Sequence, residues 1–148
     1  MPLKVSDKAP SFQLASTAGE KFEFSAPLNE PLILFFYPKN FTKVCTKEVC
    51  EFRDAFTEFK ELDIKVVGVS QDSIPSHLKF KEEHRLPFEL LSDPKGKVAK
   101  QYKATIPVIG MNRRVTYLIN KEGKIQAVFE NMFSADEHVK AMIRDLKK

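Results

Sequence analysis

Apolar and polar residues alternate along "SFQLAST" (Ser11 to Thr17) and again along "AGEKFEF" (Ala18 to Phe24), on either side of Ala18-Gly19. Period-two alternation interrupted by a glycine predicts two short strands joined in a hairpin. Pro27 and Pro31 then bracket a loop, and "LILFFY" (Leu32 to Tyr37) stays apolar until Pro38, as expected of a central strand covered on both faces. From Lys43 to Leu62 the rhythm changes: Cys45, Val49, Phe52, Phe56 and Phe59 recur at steps of four and three, which predicts one amphipathic helix. "IKVVGVS" (Ile64 to Ser70) is a second buried strand, Ser73 is placed to cap a helix running to His84, "FELLSD" is a short strand and "PKGKVAKQY" a short helix. "RVTYLINKEGKIQAVFE" reads as a hairpin turning at Lys121 to Gly123, and a last helix opens at Ser134. This order of elements predicts an α/β fold, a mixed central sheet between helices with an N-terminal hairpin, in one domain over residues 1–148.

Composition narrows the partners. A hydrophobic fraction of 43% and a charged fraction of 30% are those of a globular chain rather than a disordered one. The longest apolar run is too short to cross a bilayer and the first residues lack the apolar core of a secretory signal, so a cytoplasmic protein without membrane contact is expected. The net charge of +4 is scattered, with only "NRR" (Asn112 to Arg114) and the terminal "LKK" basic locally, and a nucleic-acid partner is not expected from that distribution. In a reducing compartment two cysteines point to redox-active thiols rather than to a stapling framework. The histidines His77, His84 and His138 have no ligand-like spacing relative to the cysteines, which argues against a zinc site and leaves them as ordinary helix or surface residues.

Both cysteines fall in "KNFTKVCTKEVCEFRD", Cys45 and Cys50, five positions apart in the expected helix. Five helical residues span ~7.5 Å along the axis and ~140° around it, so the two Cα atoms lie roughly 8.7 Å apart. A disulfide requires about 7 Å or less, and any bridge between them needs the first turns to unwind. On the helical wheel Cys45 belongs to the apolar stripe with Val49, Phe52 and Phe56, whereas Cys50 points to the water side with Lys43, Lys47, Asp54 and Glu61. The first turns are weak: Val44, Thr46 and Val49 are β-branched, and Lys43 and Lys47 are like charges four apart at the positive end of the helix dipole. The same setting, exposed backbone N–H groups and nearby cations, favours the thiolate of Cys45. Thr42 stands where a helix cap belongs, and its hydroxyl is equally placed to hydrogen-bond the sulfur or a bound substrate oxygen; Pro38 ends the strand and sets the chain's exit towards this turn.

"YPKNFTKVC" contains P-x-x-x-T-x-x-C, formed by Pro38, Thr42 and Cys45, after an apolar strand and at the opening of a helix. Together with "SDKAPSF", "LLSDPKGKVAKQY" and "RVTYLINKEGKI", this resembles the peroxiredoxins, and the spacing to Cys50 resembles their PrxQ, or bacterioferritin-comigratory, subfamily. The resemblance implies a thioredoxin-like fold and reduction of hydrogen peroxide and organic hydroperoxides without a cofactor. It makes Cys45 the peroxidatic thiol, which becomes a sulfenic acid, and Cys50 the resolving thiol, which condenses with it to an internal disulfide. A thioredoxin or similar dithiol protein would restore both thiols, and a monomer or weak dimer is expected. Arg114 matches the family's active-site arginine, which stabilises the thiolate and the leaving oxygen, while Arg113 is sent to the other face by strand alternation. Glu48 either orients Arg114 or is a surface helix residue. Two departures stand out: Lys43-Val44 where the subfamily often has Pro-Gly, and a short "ATIPVIGMN" segment before Arg114. A thioredoxin-type thiol-disulfide oxidoreductase would share the fold, but places its cysteines as C-x-x-C.

Overall fold

The computed structural model describes residues 2–130 and 144. Seven strands form one mixed sheet in the order β2-β1-β5-β4-β3-β6-β7. The strands are β1 (Phe12–Ser16), β2 (Lys21–Phe24), β3 (Leu32–Phe36), β4 (Lys65–Ser70), β5 (Glu89–Ser92), β6 (Val115–Ile119) and β7 (Ile125–Glu130). β3, β4 and β5 run parallel, and antiparallel hairpins close the sheet at either edge, β1–β2 against β5 and β6–β7 against β3. Both hairpins lie where the alternation places them.

Strand β3 is buried along its whole length because both faces are covered. Ile33, Phe35 and Tyr37 point to the face that carries α1 (Lys43–Asp54), α2 (Phe56–Glu61) and α3 (Ile74–His84), packing with Cys45, Val49, Phe52, Phe59 and Phe80. Leu32, Leu34 and Phe36 point to the opposite face, where α4 (Lys97–Gln101) and the β1–β2 hairpin supply Val98, Ala99, Phe12 and Phe24. The helix expected as one unit over 43–62 is broken at Ala55, which caps α1 with its N–H on Glu51 O and Arg53 O and opens α2. Aromatic packing accounts for the break. Phe52 stacks on Phe35 with centroids 4.5 Å apart, whereas Phe56 turns to Phe88 at 6.3 Å, directions that a single straight stripe does not serve. Ser73 caps α3 as its sequence position predicts, accepting from Ser76 N at 3.4 Å. The helix expected at Ser134 lies outside the described residues.

Sheet register then determines which residues share the end of β3. Phe36 pairs with Val115 of antiparallel β6, so Arg114 comes level with Tyr37. Val115 shares the α4 face with Phe36. Alternation therefore turns Arg114 towards the α1 face and Arg113 away from it. Parallel β4 ends at Ser70, beside Tyr37, whose N–H donates to Val69 O at 3.1 Å. Three loops, 37–42, 71–73 and 105–114, thus converge at one end of the sheet, in front of the first turn of α1.

Candidate active site

Cys45 sits one turn into α1 and is 3% exposed, its side chain on the core stripe with Val49 and Phe52. Cys50 is half-buried, and both thiols are free. Because α1 is continuous over Lys43–Asp54, helix geometry keeps the two apart. Cys50 does not simply face water as the wheel indicated. Its Sγ lies 3.8 Å from Nδ1 of His84 on α3, and the neighbouring Arg53 donates from Nη1 to His84 O at 2.9 Å. Docking α3 against this side of α1 covers what an isolated helix would expose. Burial pushes the Cys50 thiol up from its ordinary pKa; Arg53 pulls it down, and Asp54 and Glu51 push it further up.

Thr42 occupies the N-cap position with extended backbone, φ −80° and ψ 149°, but its side chain does not cap the helix. Its hydroxyl donates back to Lys39 O at 3.1 Å, and the residue is exposed at the mouth of the turn. Pro38, half-buried, follows Tyr37 directly and starts that turn. Arg113 pairs with Glu130 at 3.1 Å on the far face, as alternation requires. Arg114 lies on the near face, where its positive charge acts on Glu48.

Of the two readings open for Glu48, the surface one is ruled out: the residue is 3% exposed. Burial pushes its carboxyl up and the Arg114 guanidinium opposes that shift, leaving it raised to about 7. A buried carboxyl that titrates near neutrality beside an arginine, on the helix that carries Cys45, is a common attribute of functional sites.

Sequence reasoning missed a buried polar network behind this turn. Asn40 is 2% exposed although its neighbours Lys39 and Phe41 are on the surface. Its N–H donates to Asp72 Oδ2 at 2.8 Å, its Oδ1 accepts from the Tyr37 hydroxyl at 2.6 Å, and its Nδ2 reaches Ser76 Oγ at 3.1 Å and Nδ1 of His77 at 3.0 Å. His77, expected as an ordinary helix or surface residue, is fully buried. Burial keeps the Tyr37 phenol well above its ordinary pKa; a Ser70 hydrogen bond opposes this and the charges of Asp72, Cys45 and Glu48 add to it, so the phenol remains a donor. On the other side of Tyr37, its carbonyl accepts from Asn112 Nδ2 at 3.3 Å, and Asn112 in turn accepts from Gln71 at 2.9 Å. One signal was available: His77, Phe80 and His84 are spaced three and four apart, which places His77 on the inner stripe of α3.

A buried thiol at a helix start, preceded by a strand-ending proline and a threonine, on the helix face towards which the sheet turns an arginine, accompanies a family match across most of the chain. Residues 5–128 match the AhpC/TSA family. The chain belongs to this family. Its relatives within AhpC/TSA include peroxiredoxins of the Q and bcp type. It is 35% identical over 140 residues to the chloroplastic peroxiredoxin Q of Oryza sativa subsp. japonica, covering 94% of this chain and 64% of that protein. It is 36% identical over 149 residues to a putative peroxiredoxin bcp of Coxiella burnetii, covering 97% and 98%. This chain thus spans about two thirds of the length of the rice protein and nearly all of the Coxiella one. Among solved structures, the peroxidoxin BcpB of Mycobacterium tuberculosis superimposes with a TM-score of 0.90 at 35% identity, over 98% of this chain and 97% of that one. Peroxiredoxin Q of Xanthomonas campestris gives 0.84 at 27% identity over 92% and 89%. The AhpC/TSA chain described here therefore has the thioredoxin-like α/β fold that its motifs imply. No helix among the described residues is long and apolar enough to cross a membrane.

Proposed function

We propose that this peroxiredoxin is a thiol peroxidase that reduces hydrogen peroxide and organic hydroperoxides through Cys45. The observation that carries this reading is the register of β6 on β3, which turns Arg114 to the α1 face at the strand end where Cys45 and Glu48 are buried. The Cys45 thiolate attacks one peroxide oxygen; the S–O bond forms as the O–O bond breaks, and the other oxygen leaves as water or an alcohol after taking a proton. Arg114 offsets the negative charge that develops on the leaving oxygen, and the turn from Pro38 to Thr42 shapes the mouth of the pocket. The Cys50 thiol then attacks the Cys45 sulfenic acid, forming the S–S bond and releasing water. Two thiols of a thioredoxin-like protein reduce that disulfide and complete the cycle. The chain acts without a cofactor, in a reducing compartment such as the cytoplasm, as a monomer or weak dimer.

The internal disulfide requires motion. Both thiols are free and α1 is intact, so the first turns of α1 must open before Cys50 can reach Cys45. Stopped-flow measurement of peroxide consumption by wild type, Cys45→Ser and Cys50→Ser tests the scheme. Cys45→Ser should abolish turnover, and Cys50→Ser should leave the first oxidation intact while losing recycling through the internal bridge. Equal activity in all three proteins would refute it. Disulfide reduction by wild type without peroxide consumption would favour a thioredoxin-type oxidoreductase.

A further inference from the structure

His77 is a buried titratable side chain to which the peroxidase scheme gives no task. Its hydrogen bonds fix its protonation state. Nε2 lies 3.0 Å from the backbone carbonyl of Leu91 on β5, a pure acceptor, so Nε2 carries the hydrogen. Ser70 Oγ, 3.4 Å away, donates its own hydrogen to Asp72 Oδ2 at 2.7 Å and faces the same N–H as a second acceptor. Nδ1 is therefore the lone-pair nitrogen, and it accepts from Asn40 Nδ2 at 3.0 Å. Turning the Asn40 amide over would take Oδ1 away from the Tyr37 hydroxyl, which donates to it at 2.6 Å. In this arrangement Nδ1 faces the Asn40 amide donor at 3.0 Å and, at 3.5 Å, the Tyr37 hydroxyl, so a proton on Nδ1 breaks the bond to Asn40.

Asn40 lies midway between Pro38 and Thr42. Its side chain and its N–H, bonded to Asp72 at 2.8 Å, pull the turn inwards at a point where its neighbours are exposed. Phe41, next in the chain, has φ +67°, a left-handed conformation that a bulky residue adopts only when the surrounding contacts impose it. Its ring seats edge-on against Phe80 of α3, with centroids 5.0 Å apart. The backbone then enters Thr42 and the first turn of α1.

We propose that His77 is a positioning residue for the reaction of Cys45: as a neutral imidazole spanning from β5 to Asn40 it holds the turn of residues 38–42 in place, and a proton on Nδ1 releases that turn and slows attack on peroxide. The proposal rests on the reading of Cys45 as the peroxide-reducing thiol. The titratable group facing His77 from the loop after β4 is Asp72, and from the residue that follows β3 it is the Tyr37 phenol; Asn40, Ser70 and the Leu91 carbonyl are its other polar neighbours. Burial lowers the His77 pKa from its ordinary value, while Asp72 and the Leu91 hydrogen bond oppose that shift. The neutral form consequently persists at neutral pH, and release of the turn belongs to the acid side.

The test compares wild type with His77→Leu, which removes both hydrogen bonds, and His77→Asn, which keeps an acceptor near the Nδ1 position and does not titrate. Stopped-flow oxidation of Cys45 by hydrogen peroxide is followed from about pH 5 to pH 8. At neutral pH, His77→Leu should react about tenfold to a hundredfold more slowly, the scale on which small misplacements act, and His77→Asn should recover most of the loss. The ratio of the His77→Asn rate to the wild-type rate should rise on the acid side of neutrality, because ionisations common to the two proteins cancel in the ratio. A folded His77→Leu protein that reacts at the wild-type rate, or a ratio that is flat across pH, overturns the proposal. If His77→Leu does not fold, the ratio alone decides. Should wild type itself fail to react with peroxide, the reading of Cys45 falls, and amide exchange at Asn40 and Phe41 still decides the anchoring role: protection lost on acidification in wild type and retained in His77→Asn supports it, and equal protection in both refutes it.

Discussion

Cys50 Sγ lies 3.8 Å from Nδ1 of His84, which places the second thiol on the seam between α1 and α3 rather than in open solvent. The seam also contains the Arg53 hydrogen bond to the His84 carbonyl at 2.9 Å. Opening of α1 must therefore break contacts between helices as well as weak helical turns. Arg53→Ala should destabilise the reduced protein by about 0.5–1.5 kcal/mol, the usual range for one such hydrogen bond. It should also accelerate formation of the Cys45–Cys50 bridge after oxidation. Rapid-quench trapping of the sulfenic acid with dimedone checks this: its lifetime should shorten in Arg53→Ala, and a longer lifetime would mean that Arg53 does not hold the helix closed.

Glu48 gives a pH dependence of stability with a definite sign. Its folded-state pKa is raised from 4.5 to about 7, so between those values the folded protein binds a proton that the unfolded chain has released. Its contribution is fully present below about pH 4.5 and is lost as pH rises through about 7. Glu48→Gln removes that dependence. Urea unfolding at pH 5 and pH 8 should show wild type losing about 2–3 kcal/mol more than Glu48→Gln over this interval. Identical pH profiles would mean that Glu48 is ionised throughout.

Gly68 of β4 links the core to the helix of the thiols. A Cβ at this position would stand 2.5 Å from Cζ of Phe35, whose ring stacks on Phe52 of α1 at 4.5 Å. Gly68→Ala should displace the Phe35 ring towards α1, lowering stability by about 1–3 kcal/mol, as overpacking does. Faster alkylation of Cys45 by iodoacetamide should accompany it. Unchanged midpoints in thermal and urea unfolding would contradict this.

The sheet was legible because its signals are local. Alternation around Gly19 and Gly123 and the unbroken apolar run of β3 each depend only on which faces are covered. The grouping of Pro38, Thr42 and Cys45 was legible for the same reason, being a short pattern at a strand-to-helix junction. What escaped depends on tertiary neighbours. Ala55 breaks the long helix because Phe35 and Phe88 draw successive aromatics apart. Cys50 is shielded because α3 docks there, and Asn40 and His77 are buried because loops from β3 and β4 close over them. Thr42 carries cap chemistry in its sequence, yet its hydroxyl turns back to Lys39 O once the turn is drawn inwards.

The most direct measurement of the central claim is peptide mapping and intact mass of the reduced protein after one equivalent of hydrogen peroxide. The account predicts loss of two hydrogens, disappearance of both free thiols and a crosslink between the peptides of Cys45 and Cys50, which is possible only if α1 has opened. Two thiols still free, or a sulfenic acid on Cys45 that persists beside an unmodified Cys50, would contradict it.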